Sequence, residues 1–288
     1  MLNVLVTGAG GQLGSALRLL CADSPNRYIF TDADRLDITD AQAVERFVAE
    51  NGTDVVINCA AWTDVERAEE DEAAAYAVNC TAVGNLASAA ARHGALLIHF
   101  STDYIFDGRG CTPFTERDEP APLNAYGRTK LAGERAVTAS GCRYMIFRTS
   151  WLYSPTGRNF LLTMLRLTAE RDSVSVVNDQ IGAPTCAADL ARAVFDIVEG
   201  GLWAGREGIY HFANGGQCSW YDFAVGIASA AGHTACRVNP CRTCDYPARA
   251  VRPAYSVLDT GKYRRTFGAT IPHWRESLEK CLKTLLNS

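Results

Sequence analysis

The chain opens with Leu2-Asn3-Val4-Leu5-Val6-Thr7-Gly8-Ala9-Gly10-Gly11-Gln12-Leu13-Gly14-Ser15-Ala16-Leu17-Arg18-Leu19-Leu20. Residues 2–7 read as a short buried strand, which runs through a glycine-rich turn into a helix. Strand, glycine turn and helix in this order are the context that a dinucleotide-binding fingerprint requires. Glycines permit the tight turn and let backbone N–H groups approach a pyrophosphate. The helix N-terminus presents its positive end to the phosphates. Gly8, Gly11, Gln12, Leu13 and Gly14 are the candidate cofactor contacts of the turn. The competing reading is a plain connector.

Outward from the turn, Tyr28-Ile29-Phe30-Thr31 reads as a second strand ending at Asp32. An acid about 20 residues after the turn is where a ribose hydroxyl is gripped. A carboxylate there repels a 2′-phosphate and favours NADH, although Arg35 stands close enough to soften the preference. Asp37 and Ile38 are candidates for contact with the adenine, while Asp37 or Thr39 could equally cap a helix over 40–50. Asp54-Val55-Val56-Ile57-Asn58 reads as a third strand, and small residues follow it at Ala60 and Ala61. The alanine-rich helix 70–92 reads as packing, with Asn79 set apart. Further strands are expected at 95–100, 143–149, 173–177 and 208–212, with helices over 159–170 and 187–199. The alternation predicts a doubly wound α/β fold built on a parallel sheet. After about 215 the pattern changes to short helices (219–231 and 273–286) around a stretch rich in proline and arginine, Tyr246 to Pro253. An arginine here could meet a phosphate, or the stretch could be a solvated loop. Trp274, Leu278, Leu282 and Leu285 lie near helical spacing and read as a core or partner face.

The chemistry concentrates in Tyr126-Gly127-Arg128-Thr129-Lys130. Residues four apart on a helix share a face, so this spacing sets a phenol beside an ammonium. A nearby cation lowers a phenol's pKa and makes it a better proton donor for a carbonyl under reduction. The chain has four lysines (130, 262, 280 and 283), and Lys130 is the only one before position 262. An exposed helical pair is the bland alternative. Ser101 and Thr102 end the strand 24 residues or so earlier, where a hydroxyl could bond the same substrate oxygen.

With 288 residues, 48% hydrophobic and 21% charged, the chain is ordinary for a globular protein. A net charge of −4 gives no reason to expect nucleic acid or an anionic membrane as partner. No apolar run reaches membrane-spanning length and no cleavable leader is read at the start, so a cytoplasmic location is expected. The eleven cysteines are read as free thiols. Cys241 and Cys244 form a lone Cys-x-x-Cys without a second pair, which disfavours zinc.

Taken in order, Thr7-Gly8-x-x-Gly11-x-x-Gly14, Asp32, Ser101-Thr102-Asp103-Tyr104 and Tyr126-x-x-x-Lys130 resemble the extended short-chain dehydrogenase/reductase superfamily. Within it, Ser101 to Gly108, Tyr126 to Glu134, Arg148-Thr149-Ser150-Trp151-Leu152-Tyr153 and Asn178-Asp179-Gln180-x-Gly182-x-Pro184-Thr185 are similar to the dTDP-4-dehydrorhamnose reductase family. The similarity runs almost end to end and is weakest after about 232. It implies a Rossmann-type domain over 1–150, completed around 173–212. A smaller α/β substrate-binding region then comprises 151–172 and 213–288. It also implies reduction of the 4-keto group of dTDP-4-dehydro-β-L-rhamnose by NADH or NADPH. On that reading Tyr126 donates the proton, Lys130 lowers its pKa and holds the nicotinamide ribose, and Thr102 stands where the family usually has serine. Asp103, Tyr104 and Trp151 would line the sugar pocket, and Ala60, Ala61 and Thr63 would border the cofactor. A homodimer is one open assembly. Members of the group are associated with magnesium, but no metal is carried over. After Gly14 the first acid is Asp23, and the helix near 187 offers only Asp189. Two rivals stand beside this reading: an epimerase or dehydratase acting on another nucleotide sugar, and a non-catalytic NADP-binding regulatory subunit. The intact Thr102, Tyr126 and Lys130 favour the enzyme.

Overall fold

A computed structural model describes residues 1–286. Its centre is a six-stranded parallel sheet. In chain order the strands are β1 (Asn3–Thr7), β2 (Arg27–Thr31), β3 (Val55–Asn58), β4 (Leu96–Thr102), β5 (Arg143–Thr149) and β6 (Gly208–His211). The spatial order is β6-β5-β4-β3-β1-β2, with all neighbours parallel. Successive residues of a strand face opposite sides, and here each side has its own core. Val4, Val6, Val55, Ile57, Leu96, Ile98, Met145 and Phe147 pack on one face, against Leu13 and Leu17 of the helix Gln12–Leu20 and Leu190 and Val194 of the helix Ala187–Glu199. Leu5, Val56, Leu97 and Ile146 pack on the other, against Val44, Val48, Val83 and Leu86. Burial on both faces explains why these strands read as continuous apolar runs. The order in which successive strands are added reverses between β1 and β3, and a crevice opens there at the carboxyl ends of the strands, where open α/β sheets take their ligands.

A third core lies outside the sheet. Tyr153, Leu161, Met164, Val174, Phe223 and Ile227 pack with Trp274, Leu278 and Leu282, and Leu285 leans against them. The last helix therefore faces the core. The strand Ser173–Val177, expected to help complete the large sheet, belongs here instead. It pairs in parallel with Arg237–Cys241, a strand the sequence pattern does not announce. Its alternate residues Val174 and Val176 are buried while Ser173 and Ser175 are exposed. One such apolar face suits a small sheet backed by helices on one side only. The large sheet is completed by Gly208–His211 and the helix Ala187–Glu199 alone.

Local details adjust other expectations. Asp40 caps the helix Ala41–Glu50, accepting the amides of Gln42 and Ala43, whereas Asp37 bonds the amide and hydroxyl of Thr39. The expected helix 70–92 is broken into Glu72–Tyr76, a π-turn at Ala77–Thr81 and Ala82–His93. All eleven cysteines are free.

The helix Ala125–Ala139 carries a buried ion pair with β5. Arg148 donates to Glu134 at 2.8 Å, with 4% and 3% of the two side chains exposed. Arg148 also stacks over Phe106, 5.4 Å from the ring centre. Removing one member of such a pair leaves an uncompensated buried charge. We expect Glu134→Ala to destabilise the protein by about 3–5 kcal/mol. Denaturant unfolding would check this, and a loss below about 1 kcal/mol, the value of an exposed pair, would contradict it.

Candidate active site

The crevice is a cavity of ≈ 510 Å³. Gly11, Gln12 and Leu13 line one side, Ala60, Ala61 and Thr63 the floor, and Thr102, Asp103, Tyr104, Tyr126, Lys130 and Trp151 the far wall. Twelve of the residues singled out in the sequence therefore meet in one place.

Gly8 and Gly14 lie beneath the turn, where they shape it. Gly8 has φ +64°, and a Cβ there would come within 2.5 Å of the Ala60 nitrogen. Close contact between the first turn and the end of β3 therefore requires glycine. Asp32 stands at the end of β2 with its carboxylate accepting the Gly10 amide at 3.0 Å. It thus stiffens the glycine turn, and like Asp37 and Ile38 it is not among the residues that line the cavity. Arg35 turns away to the Phe30 carbonyl (3.1 Å) and the Phe47 ring. Asp37 and Ile38 do not join the cavity lining. Asp37 is exposed and engaged with Thr39, and Ile38 is buried beside Leu36 and Val44.

The sequence pattern passed over several cavity residues. Asn58 accepts the Thr7 hydroxyl (2.8 Å) and the Ala60 amide (3.2 Å) on its oxygen, so its nitrogen donates to His99 Nδ1 (3.1 Å). Burial, and then the charge of Lys130, hold His99 well below the usual imidazole range, so it is neutral. Trp220 stacks on Trp151 with ring centres 3.6 Å apart. Trp151 is itself the one non-glycine residue with positive φ among those described, at +48°. A bulky residue in that region is strained, and here its ring lies between Gly182 and Trp220. No spacing rule foretells the Trp220 contact, because it joins residues 69 positions apart.

The proton-handling groups are arranged by the helix Ala125–Ala139. Asn124 caps it, accepting the Gly127 amide at 2.8 Å. A Cβ on Gly127 would overlap the Tyr104 carbonyl, and one on Gly133 would overlap the Asn79 carbonyl. The helix can thus lie close on its neighbours. Asn79, on the π-turn, holds the backbone of Trp62 on both sides and donates to the Thr129 hydroxyl (3.1 Å). It fastens the loop after β3 to the Tyr126 helix.

Lys130 is 3% exposed and donates to the Phe100 carbonyl at 2.6 Å. Burial pulls its pKa down to about 8, with Glu134 acting against the shift. The Thr102 hydroxyl donates to Asp103 (3.0 Å) and accepts the Tyr104 amide (3.1 Å). Burial pushes Asp103 up to about 7, opposed by the hydroxyls of Ser256 and Thr102. Tyr126 departs from the expected lowering: burial pushes its phenol up to about 12, the Thr102 hydroxyl pulls it back and Asp103 pushes it further. Lys130 does not govern the phenol here, since its ammonium points to the Phe100 carbonyl. The phenol therefore keeps its proton at neutral pH, as a donor must.

The model of the RmlD substrate binding domain family matches residues 2–287. A dTDP-4-dehydrorhamnose reductase of Burkholderia thailandensis is 40% identical over 298 residues, covering 99% of this chain and 100% of the relative. The chain belongs to the dTDP-4-dehydrorhamnose reductase family. The crystal structure of the family member from Clostridium acetobutylicum superposes with a TM-score of 0.94 at 43% identity, covering 99% of each chain. That of the Bacillus anthracis member, in complex with NADP, gives 0.93 at 39% identity, covering 98% and 99%.

Among the described residues no group of three or more His, Cys, Asp or Glu could hold a metal ion. Asp189 is engaged by Asn214 (2.7 Å) and Ser277 (2.5 Å). No helix among the described residues is long and apolar enough to cross a membrane.

Two outcomes are expected. Turnover in the reductive direction should fall as pH rises through about 8, because the Lys130 ammonium is present below that value and lost above it. A pH–rate profile flat across that range would remove the charge of Lys130 from the reaction. In titrations with each cofactor, Asp32→Ala should weaken NADH more than NADPH, because only the 2′-phosphate is relieved of repulsion. An equal loss for both would mean that Asp32 does not hold the ribose.

Proposed function

We propose that this chain reduces the 4-keto group of dTDP-4-dehydro-β-L-rhamnose with NADH or NADPH, giving dTDP-L-rhamnose. The observation that carries this is the meeting of Tyr126, Thr102 and Lys130 at the crevice wall that faces the glycine turn. The residues present suit a dinucleotide. Gly8 lets the turn close on β3, Asp32 at the end of β2 holds the Gly10 amide and is assigned the ribose, and Ala60 and Ala61 are small residues in the cavity lining. Bound there, the nicotinamide supplies a hydride to the carbonyl carbon.

The protein supplies the rest. As the carbonyl π electrons move onto oxygen, the Tyr126 Oη–H bond breaks and its proton passes to that oxygen. The phenolate left behind forms in a buried site, which raises its cost. Lys130, which does not set the pKa of the resting phenol, is assigned the positive charge that offsets part of this cost only as the phenolate forms. The Thr102 hydroxyl, next to the phenol, serves the same oxygen and fixes its direction. Asp103 and Tyr104 line the sugar side, and the Trp151–Trp220 stack closes it. Solvent then reprotonates Tyr126. We place the enzyme in the cytoplasm, acting on a soluble nucleotide sugar.

Tyr126→Phe removes only the proton donor, so kcat should fall by about 10²-fold or more with cofactor affinity near normal. The check is loss of reduced-cofactor absorbance with dTDP-4-dehydrorhamnose made in situ. Turnover unchanged in the variant would remove Tyr126 from the mechanism. Tight cofactor binding by the unaltered protein without turnover would favour a regulatory subunit instead.

A further inference from the structure

The segment from Ser154 to Asn159 joins the strand Leu152–Tyr153 to the helix Phe160–Glu170 and rests on the glycine turn. The Gln12 oxygen accepts from Ser154 (3.1 Å) and Asn159 (3.0 Å), and the Gln12 nitrogen reaches the Leu152 carbonyl (3.5 Å). Asn159 also donates to the Ser154 carbonyl at 2.9 Å, which closes the segment on itself. Gly157 turns its tip with φ +76°, and a Cβ there would come within 3.2 Å of Gln12 Cγ. Gly157 and Arg158 both line the crevice.

On its other side the segment reaches across to the loop after β3. Arg158 donates to Asp64 Oδ2 at 2.8 Å. Asp64 stands between Thr63 and Val65, which line the crevice there. It is firmly placed. Its Oδ1 caps the helix Val65–Glu70 through the Arg67 amide (3.1 Å), and its carbonyl accepts from the Trp62 indole (3.1 Å). The contacts therefore run in a ring. They lead from the glycine turn through Gln12 to the segment 154–159, through Arg158 to Asp64, and along the backbone to the end of β3, against which Gly8 packs. The links of the ring differ in strength. Several bonds join buried or half-buried groups at Gln12, whereas the Arg158–Asp64 pair leaves 86% of the arginine side chain and 28% of the aspartate side chain exposed. An exposed pair is weak and screened by salt, so the ring opens at this link first.

We propose that the segment 154–159 is a strap across the bound dinucleotide, and that the Arg158–Asp64 ion pair is its latch. The inference rests on the dinucleotide reading of the crevice and not on the identity of the sugar. A dinucleotide with its pyrophosphate on the glycine turn and its nicotinamide at Tyr126 lies between the two walls that the strap joins. It is threaded through the ring, and it enters or leaves when the latch opens. The strap adds no group to the reaction. It gates arrival and departure alike, so the latch changes the rates of exchange and leaves the affinity almost alone.

The test follows NADPH binding to the full chain by stopped-flow fluorescence, for the unaltered protein, Arg158→Met, Asp64→Asn and the double variant. Asparagine caps a helix as well as aspartate does, so Asp64→Asn removes the charge and keeps the cap. In either single variant the association and dissociation rate constants should both rise about two- to fivefold, the size that an exposed ion pair permits, with Kd changed by less than about twofold. Near-normal Kd also shows that the variants are folded. The double variant should be no faster than the singles, because all three break the same link. Raising salt from about 0.05 M to about 0.5 M should speed dissociation from the unaltered protein more than from the variants. Unchanged rates in both single variants overturn the latch. Faster dissociation alone, confined to Arg158→Met, also overturns it and makes Arg158 a direct ligand of the cofactor. If the unaltered protein binds no NADPH, the latch falls together with the dinucleotide reading.

Discussion

The contact on which the site depends is the buried Lys130 ammonium on the Phe100 carbonyl. An ammonium 3% exposed is costly to keep, and its neighbours are chosen around it. His99 stays neutral and adds no second positive charge, while Glu134, one turn further along, supplies the opposing negative one. Glu134 could not stay buried alone, so Arg148 pairs with it, and Phe106 and His211 surround Arg148. One buried cation thus accounts for a polar network running from β4 through the Tyr126 helix to β6. The two close glycine contacts, at Gly127 and Gly133, let that helix sit low enough for the network to form.

The same economy links the two units of the chain. Gln12, in the glycine turn, accepts from Ser154 (3.1 Å) and Asn159 (3.0 Å), so the cofactor end of the crevice is bonded directly to the start of the small unit. Asn124 starts the Tyr126 helix with its oxygen and holds the stretch from Tyr246 to Pro253 at Val251 with its nitrogen. Single asparagine and glutamine side chains set both the catalytic groups and the elements that would cover the substrate. Small displacements of the small unit are therefore felt at the reacting groups, which is the positioning that catalysis by orientation requires.

Much of this could be read before the structure was in hand, and the reason is local. The glycine turn, Asp32, Thr102 and the Tyr126–Lys130 pair are announced by residue type and short spacing, even where distant partners such as Phe100 hold them in place. What escaped depends on distant partners. The strand Ser173–Val177 looks like any alternating strand, and its assignment to the small sheet follows from Arg237–Cys241, some 60 residues away. Ile38 has the apolar character of an adenine contact but spends it in the core. The Trp151–Trp220 stack and the Asn58–His99 bond likewise join residues that no spacing relates. The ion pair of Arg252 with Glu66, too, joins positions that no spacing relates.

The departure at Tyr126 teaches most about the chemistry. Spacing alone predicts a phenol lowered by the lysine beside it, which would suit a base as well as an acid. Burial instead raises the phenol while it lowers the ammonium, so the proton rests on Tyr126 and the charge on Lys130 becomes easier to lose. Desolvation disfavours both charged forms, and it therefore opposes the phenolate–ammonium state that follows proton transfer. The driving force must come from the substrate oxygen, which is a strong base once the carbonyl has been reduced. A site arranged in this way holds its proton until hydride transfer creates the acceptor. That order suits reduction, and on the proposed mechanism it makes the orientation of the carbonyl, assigned to Thr102, as important as the acidity of the phenol itself.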